Sequence, residues 1–376
     1  MLYWLYEHFK DSDSLMSKLT HVFQYQTFRG VAACLIAFGL SLLLGSRIIR
    51  KLISMKVGQP IRTAEEVNKL FELHGAKAGT PTMGGILIIG TLLAACLLCC
   101  RLENLVLWVT IYVTLGLGAL GFVDDYLKVS EKNSKGVSAR GKLVVQWTVG
   151  LTAGFALYHL PGHEGFFSHL QLPFFKNFEL NMGWFTVPFI AVVIVGCSNA
   201  VNLTDGLDGL ASGCTVSVGL AYAIFCYLCG NSVAADYLNI RYNGIVGELA
   251  PVALGLVGAA IGFLWFNAHP ARVFMGDTGS MAIGGCISML AIASKQEIVL
   301  VIVGGVFVME ALSVMMQVAW FKVSRKIYGA PRRLFRMTPI HHHFELMGWK
   351  ETQVIARFWI MSLICALLGL ATLKLR

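Results

Sequence analysis

Residues 105–128 read LVLWVTIYVTLGLGALGFVDDYLK, and this stretch decides the class of fold. About twenty apolar residues run up to Asp124 and Asp125, which is the length that an α-helix needs to cross a bilayer. Two adjacent carboxylates at the end of such a helix repel each other and are costly to remove from water, so a cation should lie opposite them. The stretch therefore predicts a membrane-spanning helix that ends at a polar site.

The composition of the whole chain agrees with a membrane protein. Of its 376 residues, 56% are hydrophobic and 14% are charged, whereas soluble domains carry roughly 25% charged residues. We expect an all-α polytopic integral membrane protein with about ten transmembrane helices, folded as a single domain over residues 1–376. The apolar segments lie near residues 28–47, 83–100, 104–123, 142–160, 184–201, 209–229, 248–266, 279–294, 298–321 and 355–373.

The lysines and arginines predict the orientation of these helices. More than two thirds of the 30 fall on one side, in segments such as 47–82, 124–142 and 322–357. Because positive residues concentrate on the cytoplasmic side, we place that side in the cytoplasm and both termini on the opposite side. Residues 160–183, on the outer side, predict a short hairpin. The chain has no soluble basic domain, so we expect no nucleic-acid partner.

The sequence argues against a cleavable signal peptide and against a disulfide framework. The N-terminal residues MLYWLYEHFKDSDS lack the basic start and the long apolar run of a cleavable signal peptide. The ten cysteines lie within or beside apolar segments, where Cys is usually a small hydrophobic residue and not part of a disulfide framework.

Every unusual polar motif falls on the predicted cytoplasmic side, which indicates a single site there. Helix capping explains Asp205, Asp208 and Asp277, because Asp is favoured at helix N-termini. Capping does not explain Asp124 and Asp125, since a helix C-terminus repels negative charge; a hard cation such as Mg²⁺ would compensate them. The motifs are KAGTPTMGG (77–85), FVDDYLK (122–128), NLTDGLDGL (202–210), NAHPARVFMGDTGS (267–280) and PIHHHFELMGW (339–349).

The same motifs carry groups that bind anions. Glycines beside predicted helix starts offer backbone N–H groups, and three consecutive histidines have poor spacing for zinc but suit a phosphate-rich ligand. Glu310 interrupts an apolar helix, where two interpretations stay open: a functional acid, or a hydrogen bond that ties the helix. Together these residues predict transfer of a phosphoryl-linked group from a soluble anionic donor to a lipid phosphate.

With these motifs the chain resembles the phospho-N-acetylmuramoyl-pentapeptide transferase family over essentially its whole length. The segment HHHFELMGW favours this family over the related transferases that use UDP-N-acetylglucosamine. The resemblance implies that UDP-MurNAc-pentapeptide and undecaprenyl phosphate give lipid I and UMP, with Mg²⁺, in peptidoglycan synthesis. It also implies a homodimer in the bacterial cytoplasmic (inner) membrane, where the distribution of Lys and Arg places both termini in the periplasm.

The resemblance also implies roles for individual residues. It makes Asp277 the metal ligand. Within the Asp124 and Asp125 pair, one residue could be a covalent nucleophile or a base that deprotonates the lipid phosphate. We prefer direct attack by the lipid phosphate with Asp124 as the base, because an in-line displacement needs only positioning and charge neutralisation. The expected catalytic residues are Asp124, Asp125, Asp277 and His341. The expected substrate-binding residues are Lys77, Thr82, Lys142, Asn202, Asp205, Gly206, Leu207, Asp208, Asn267, Phe274, His342 and His343.

Two alternative functions are weighed against this interpretation. A transferase that uses UDP-N-acetylglucosamine and polyprenyl phosphate differs in its donor, and exchanging the donor distinguishes the two. A secondary transporter for an anionic solute predicts acids at mid-membrane, interrupted helices in both halves and polar motifs on both faces. Glu310 alone fits the transporter.

Overall fold

The computed structural model describes residues 1–11, 15–55, 79–130, 136–163, 165–175 and 179–375. Within these ranges the chain is almost entirely helical. The α-helices are α1 (Leu2–Phe9), α2 (Leu15–Thr20), α3 (Gln26–Ser54), α4 (Gly85–Cys99), α5 (Leu105–Ser130), α6 (Ala139–Tyr158), α7 (Thr186–Thr204), α8 (Leu210–Cys229), α9 (Ser232–Leu238), α10 (Gly244–Gly247), α11 (Ala250–Asn267), α12 (Gly276–Ala293), α13 (Leu300–Val303), α14 (Gly305–Tyr328), α15 (Ile340–Leu346) and α16 (Glu351–Ala371).

Strands occur in one place among the described residues. β1 (His169–Gln171) and β2 (Glu179–Asn181) pair antiparallel, with Leu170 opposite Leu180. This pair confirms the hairpin predicted within residues 160–183.

Eight of the described helical segments are long and apolar enough to cross a bilayer, so the chain is a polytopic membrane protein. Helices also occupy the other two predicted positions: α4, which has 15 residues, and α6, which has 20 residues and begins with the polar sequence ARGK. The count of ten spans stays a prediction. The eight segments are Gln26–Ser54, Leu105–Ser130, Gly183–Thr204, Leu210–Cys229, Gly244–Asn267, Gly276–Ala293, Gly305–Tyr328 and Glu351–Lys374.

Helix α12 is the centre of the bundle. Every residue from Thr278 to Ala293 is buried, and the helix packs against α4, α5, α7 and α8. It approaches α5 closely at Gly121, where a Cβ atom would overlap the backbone carbonyl of Asp277. The two backbones therefore meet directly at the end of the bundle that carries the acidic residues.

Helix α5 is longer than the sequence predicted. The apolar run ends near residue 123, but the helix continues to Ser130, so Asp124 and Asp125 lie before its last turn and not at its C-terminus. Lys128 contributes to this extension, because its Nζ lies 2.7 Å from Oδ2 of Asp124 at i,i+4 spacing, a favourable side-chain pairing on a helix.

Candidate active site

Asp125 caps the N-terminus of α12 from the neighbouring helix α5. Its Oδ1 accepts a hydrogen bond from the backbone N–H of Asp277 (3.2 Å), and its Oδ2 accepts from the N–H (3.0 Å) and hydroxyl (2.7 Å) of Thr278. A helix N-terminus carries partial positive charge, so this buried carboxylate stabilises α12. The sequence argument against capping considered only the helix that contains the pair, and it was wrong for Asp125.

Four charged side chains form an acid–lysine cluster beside this cap: Asp124, Asp277, Lys128 and Lys142. The Lys142 ammonium lies 2.8 Å from Asp124 Oδ2 and 2.6 Å from Asp277 Oδ2. Lys128 reaches the same two oxygens at 2.7 and 3.3 Å. The Asp124 side chain is fully buried, whereas Asp277 is 16% exposed and both lysines are partly exposed. Two positive charges thus balance two negative ones at the edge of the bundle.

The remaining oxygens of these acids have defined partners. Asp124 Oδ1 accepts from the backbone N–H of Val137 (2.8 Å). Asp277 Oδ1 accepts from the side-chain amide of Asn202 (2.9 Å), which also donates to the Ser280 hydroxyl (3.0 Å). The cluster is therefore held by α5, α7, α12 and the chain around the start of α6.

These acids fit a hard divalent cation. Carboxylate oxygens of Asp124, Asp125 and Asp277 lie within 4.8 Å of one another, and oxygen ligands are those that Mg²⁺ prefers. Asp125 already uses both oxygens for α12, whereas Asp277 keeps an exposed portion. Asp277 is the acid of this group whose carboxylate reaches solvent.

The glycine-rich segment before α4 lies against the cluster. The backbone N–H of Phe274 donates to the carbonyl of Pro81 (2.8 Å), and the N–H of Gly84 donates to the carbonyl of Phe274 (2.9 Å). Thr82 is buried beside Gly276, whose φ is +71° and whose Cβ position would overlap Asp125. Phe274 itself is half-buried. The predicted ligand Lys77 lies outside the described residues.

The loop between α7 and α8 passes beside the same cluster. Burial raises the pKa of the Asp205 carboxyl to about 8, and the negative charges of Asp277 and Asp125 act in the same direction. Gly206 is exposed and Leu207 is buried in the core. The pKa of Asp205 is therefore raised both by burial and by the neighbouring acids Asp277 and Asp125.

Asp208 belongs to a second, smaller group. Its Oδ2 accepts from the N–H of Ala271 (3.0 Å) and lies 3.1 Å from His269 Nδ1. Glu351, at the start of α16, lies 3.6 Å from the same His269 nitrogen. Sequence reasoning missed His269 and Glu351, because the three residues come from segments far apart in the chain.

Asn267 ties two loops together from a buried position. Its Oδ1 accepts from the N–H of Gly209 and from the hydroxyl of Ser212, both at 3.0 Å, and its amide donates to the carbonyl of Val273 (2.9 Å). Asn267 thereby fixes the loop after α7 relative to the segment that leads into α12.

The three histidines of α15 point in different directions, as three consecutive helical residues must. His341 is fully buried, and Glu310 of α14 is its partner. Each ring has a separate contact: His341 Nδ1 with Glu310 Oε1 at 3.1 Å, His342 Nδ1 with Glu345 Oε2 at 2.8 Å, and His343 Nδ1 with the Arg336 N–H at 3.1 Å. Direct contact of His341 with a substrate stays a prediction.

The structure thus brings most of the predicted site residues to one end of the bundle. Among the basic residues that follow the Asp pair, nothing in the sequence selected Lys128 for the site over the general excess of positive charge on that side, although its spacing of four from Asp124 was a usable signal. Sequence reasoning also missed Ser280, for which the contact with Asn202 depends on α7 packing against α12.

Fold and site together define an integral membrane protein that gathers carboxylates, lysines and amides at one end of a helical bundle. Residues 107–295 match the family model described as Glycosyl transferase family 4. Residues 77–89 match signature 1 of the phospho-N-acetylmuramoyl-pentapeptide-transferases.

Two curated relatives cover nearly the whole chain. The phospho-N-acetylmuramoyl-pentapeptide-transferase of Desulfotalea psychrophila is 50% identical over 356 residues, which is 95% of this chain and 96% of the relative. The protein of the same name from Citrifermentans bemidjiense is 48% identical over 359 residues, 96% of each chain. The chain belongs to the phospho-N-acetylmuramoyl-pentapeptide-transferase family.

Proposed function

We propose that this protein transfers phospho-MurNAc-pentapeptide from UDP-MurNAc-pentapeptide to undecaprenyl phosphate, releasing UMP and forming lipid I in peptidoglycan synthesis. The observation that carries the proposal is the acid–lysine cluster, set at the end of a membrane bundle in a chain 50% identical to a transferase of that name. A lipid phosphate and a soluble nucleotide can meet at such a position, because it borders both the bilayer and water.

The reaction is an in-line displacement at phosphorus. An oxygen of the lipid phosphate bonds to the sugar-bearing phosphorus of the donor, and the bond from that phosphorus to the bridging oxygen breaks, so that UMP leaves. Such chemistry needs positioning and charge neutralisation above all. Mg²⁺ bound at Asp277 would neutralise charge on the diphosphate.

The residues of the cluster take separate roles in this proposal. Lys128 and Lys142 carry their charges on flexible stems, so their ammonium groups can move from the carboxylates to phosphate oxygens. Asp124 accepts the proton of the lipid phosphate. Asp125 uses both carboxylate oxygens to cap α12, so the arrangement supports direct attack over a covalent intermediate on Asp125.

The donor lies along the loop after α7 and the segment before α12. The half-buried Phe274 ring stacks on uracil. Asn202, Asp205 and Asp208 surround the nucleoside and the metal, while His342 and His343 face the diphosphate. Thr82, Gly206, Leu207 and Asn267 shape this site, and Lys77 adds a positive charge. Support comes from the contacts that join these loops to Asp277 and to one another.

The proposed setting is the bacterial cytoplasmic membrane. Ten spans, with both termini in the periplasm and the cluster at the cytoplasmic face, agree with the excess of Lys and Arg in the segments on the cluster's side. We also propose a homodimer, which the family resemblance supports.

The proposal is tested with purified protein in detergent by following UMP release from UDP-MurNAc-pentapeptide. We expect release that requires undecaprenyl phosphate and Mg²⁺ and that stops on adding EDTA. Release from UDP-N-acetylglucosamine instead would move the protein to the related class of transferases. No release from either donor would contradict a transferase.

A further inference from the structure

Helix α14 carries a buried acid that the proposed reaction does not use. Glu310 and His341 are both fully buried, and the carboxylate Oε1 lies 3.1 Å from the imidazole Nδ1. A buried carboxylate is expensive unless it is paired. The two side chains meet by charge and proximity, because neither Glu310 nor His341 has a hydrogen-bond partner for its side chain among the described residues.

The other edge of this ring supports the donor loop. A Cβ atom placed on Gly206 would overlap Nε2 of His341 and would crowd the two ring carbons beside it. His341 therefore lies directly against the Gly206 backbone, and the absence of a side chain at position 206 allows this contact. Glu310, His341 and Gly206 form a continuous chain of contacts from the interior of α14 to the loop between α7 and α8.

That loop joins the two groups of charged residues in the site. Asn202, near the end of α7, donates to Asp277 in the acid–lysine cluster. Asp208, two residues after Gly206, accepts from the Ala271 N–H and contacts His269. A shift of the loop at Gly206 would consequently displace the residues proposed to hold the nucleoside and the metal.

We propose that Glu310 and His341 are positioning residues. They hold the 205–208 loop in place against the His341 ring, and they act on the nucleotide donor through Gly206. This inference rests on the proposed function for the identity of the donor. Glu310 fixes His341, and His341 fixes the loop. Because this chain of contacts ends at the loop proposed for the donor, we expect it to affect donor binding more than lipid binding.

The first test compares Glu310→Gln with Ser313→Ala. Ser313 is buried on the same helix one turn later, but its hydroxyl returns to the carbonyl of Glu310 within α14 (2.7 Å). We expect Glu310→Gln to raise KM for UDP-MurNAc-pentapeptide about tenfold while KM for undecaprenyl phosphate changes less than about twofold. Ser313→Ala should change neither. An unchanged donor KM in Glu310→Gln, or an equal rise for both substrates, would overturn the inference.

A double-mutant cycle tests whether Glu310 acts through His341. We expect the Glu310→Gln, His341→Asn double variant to be no worse than His341→Asn alone, because residues that act in series are not additive. Two independent, additive losses would contradict the proposed series.

A loop variant keeps the inference testable if Glu310→Gln fails to fold. Gly206→Ala should raise the donor KM, because the new methyl group meets the His341 ring. In a His341→Ala background, which lacks the ring, Gly206→Ala should cause a much smaller further rise. A harmless Gly206→Ala, or an equally large rise in both backgrounds, would overturn the inference. Wild-type UMP release in the same assay reports separately on the proposed function: if the wild-type protein is inactive, the function fails, whereas the positioning role fails only when wild type is active.

Discussion

Two groups of acids and bases, at opposite ends of the bundle, pair positive and negative side chains in different ways. At one end the Arg29 guanidinium of α3 donates two hydrogen bonds, of 2.6 and 2.9 Å, to the Glu248 carboxylate, and the Gln26 amide donates a third at 3.0 Å. At the other end lies the acid–lysine cluster. Helix α11 separates the two groups: Glu248 lies just before its start, and Asn267, beside the loops of the active site, is its last residue. Its 18 residues span about 27 Å.

The difference lies in geometry and access. The Arg29 guanidinium is a rigid fork that matches one carboxylate, and neither side chain of this pair is appreciably exposed. The more exposed Arg101 lies 3.4 Å from the same Glu248 carboxylate, so Glu248 keeps a fixed cation on two sides. In the cluster, two partly exposed lysines share two carboxylates. If one ammonium group moves away from a carboxylate, the other lysine still pairs with that carboxylate. The closed pair holds the fold together, whereas the open cluster can exchange its partners for a metal and phosphates.

The largest expected effect comes from Asp277→Asn in the cluster, which should separate activity from stability. We expect kcat for UMP release to fall about 10³-fold, because the carboxylate proposed to hold Mg²⁺ against the diphosphate is lost, while the thermal midpoint changes little. Activity assays and thermal unfolding on the same preparation check this result. Near wild-type activity in the variant would remove Asp277 from the mechanism.

The converse change is Glu248→Gln at the closed end. Removing one partner of a buried ion pair leaves Arg29 uncompensated, and we expect a loss of about 3 kcal/mol in stability. The activity of the protein that remains folded should match wild type. Lost activity at full stability would show that the two ends are not separated as we describe.

A smaller effect is expected at the helix cap. Asp125→Asn keeps one acceptor for the N-terminus of α12 but removes the charge, which should cost about 1 kcal/mol of stability. Urea or thermal unfolding measures this change. If Asp125→Asn leaves stability intact and abolishes turnover, Asp125 acts in catalysis as the sequence predicted, and the cap is secondary.

The last expected effect concerns pH. Because the pKa of Asp205 is raised to about 8 in the folded protein, the folded state binds a proton between about pH 4 and pH 8 that the unfolded state has released. The free energy of unfolding of the metal-free protein should therefore decrease as pH rises through this range. In Asp205→Asn this decrease should be smaller, as thermal midpoints in EDTA would reveal. Equal slopes in both proteins would contradict the raised pKa.

The sequence predicted a membrane bundle and the five motifs of the site, because apolar length and polar interruptions are local properties. The partners of individual side chains are not local. Asp125 caps a helix that begins about 150 residues later in the chain, and Glu310 pairs with a histidine of another helix. The apolar run also predicts the end of α5 near residue 123, which is wrong. The helix continues to Ser130, and the Asp124–Lys128 pair stabilises the added turns.

The most direct test of the central claim is metal binding at the open end. Mn²⁺ can stand in for Mg²⁺ and is counted by electron paramagnetic resonance in wild type, Asp277→Asn and Glu248→Gln. The account predicts one saturable Mn²⁺ site in wild type and in Glu248→Gln, lost in Asp277→Asn. Undiminished Mn²⁺ binding in folded Asp277→Asn would contradict the assignment of the acid–lysine cluster as the metal and phosphate site.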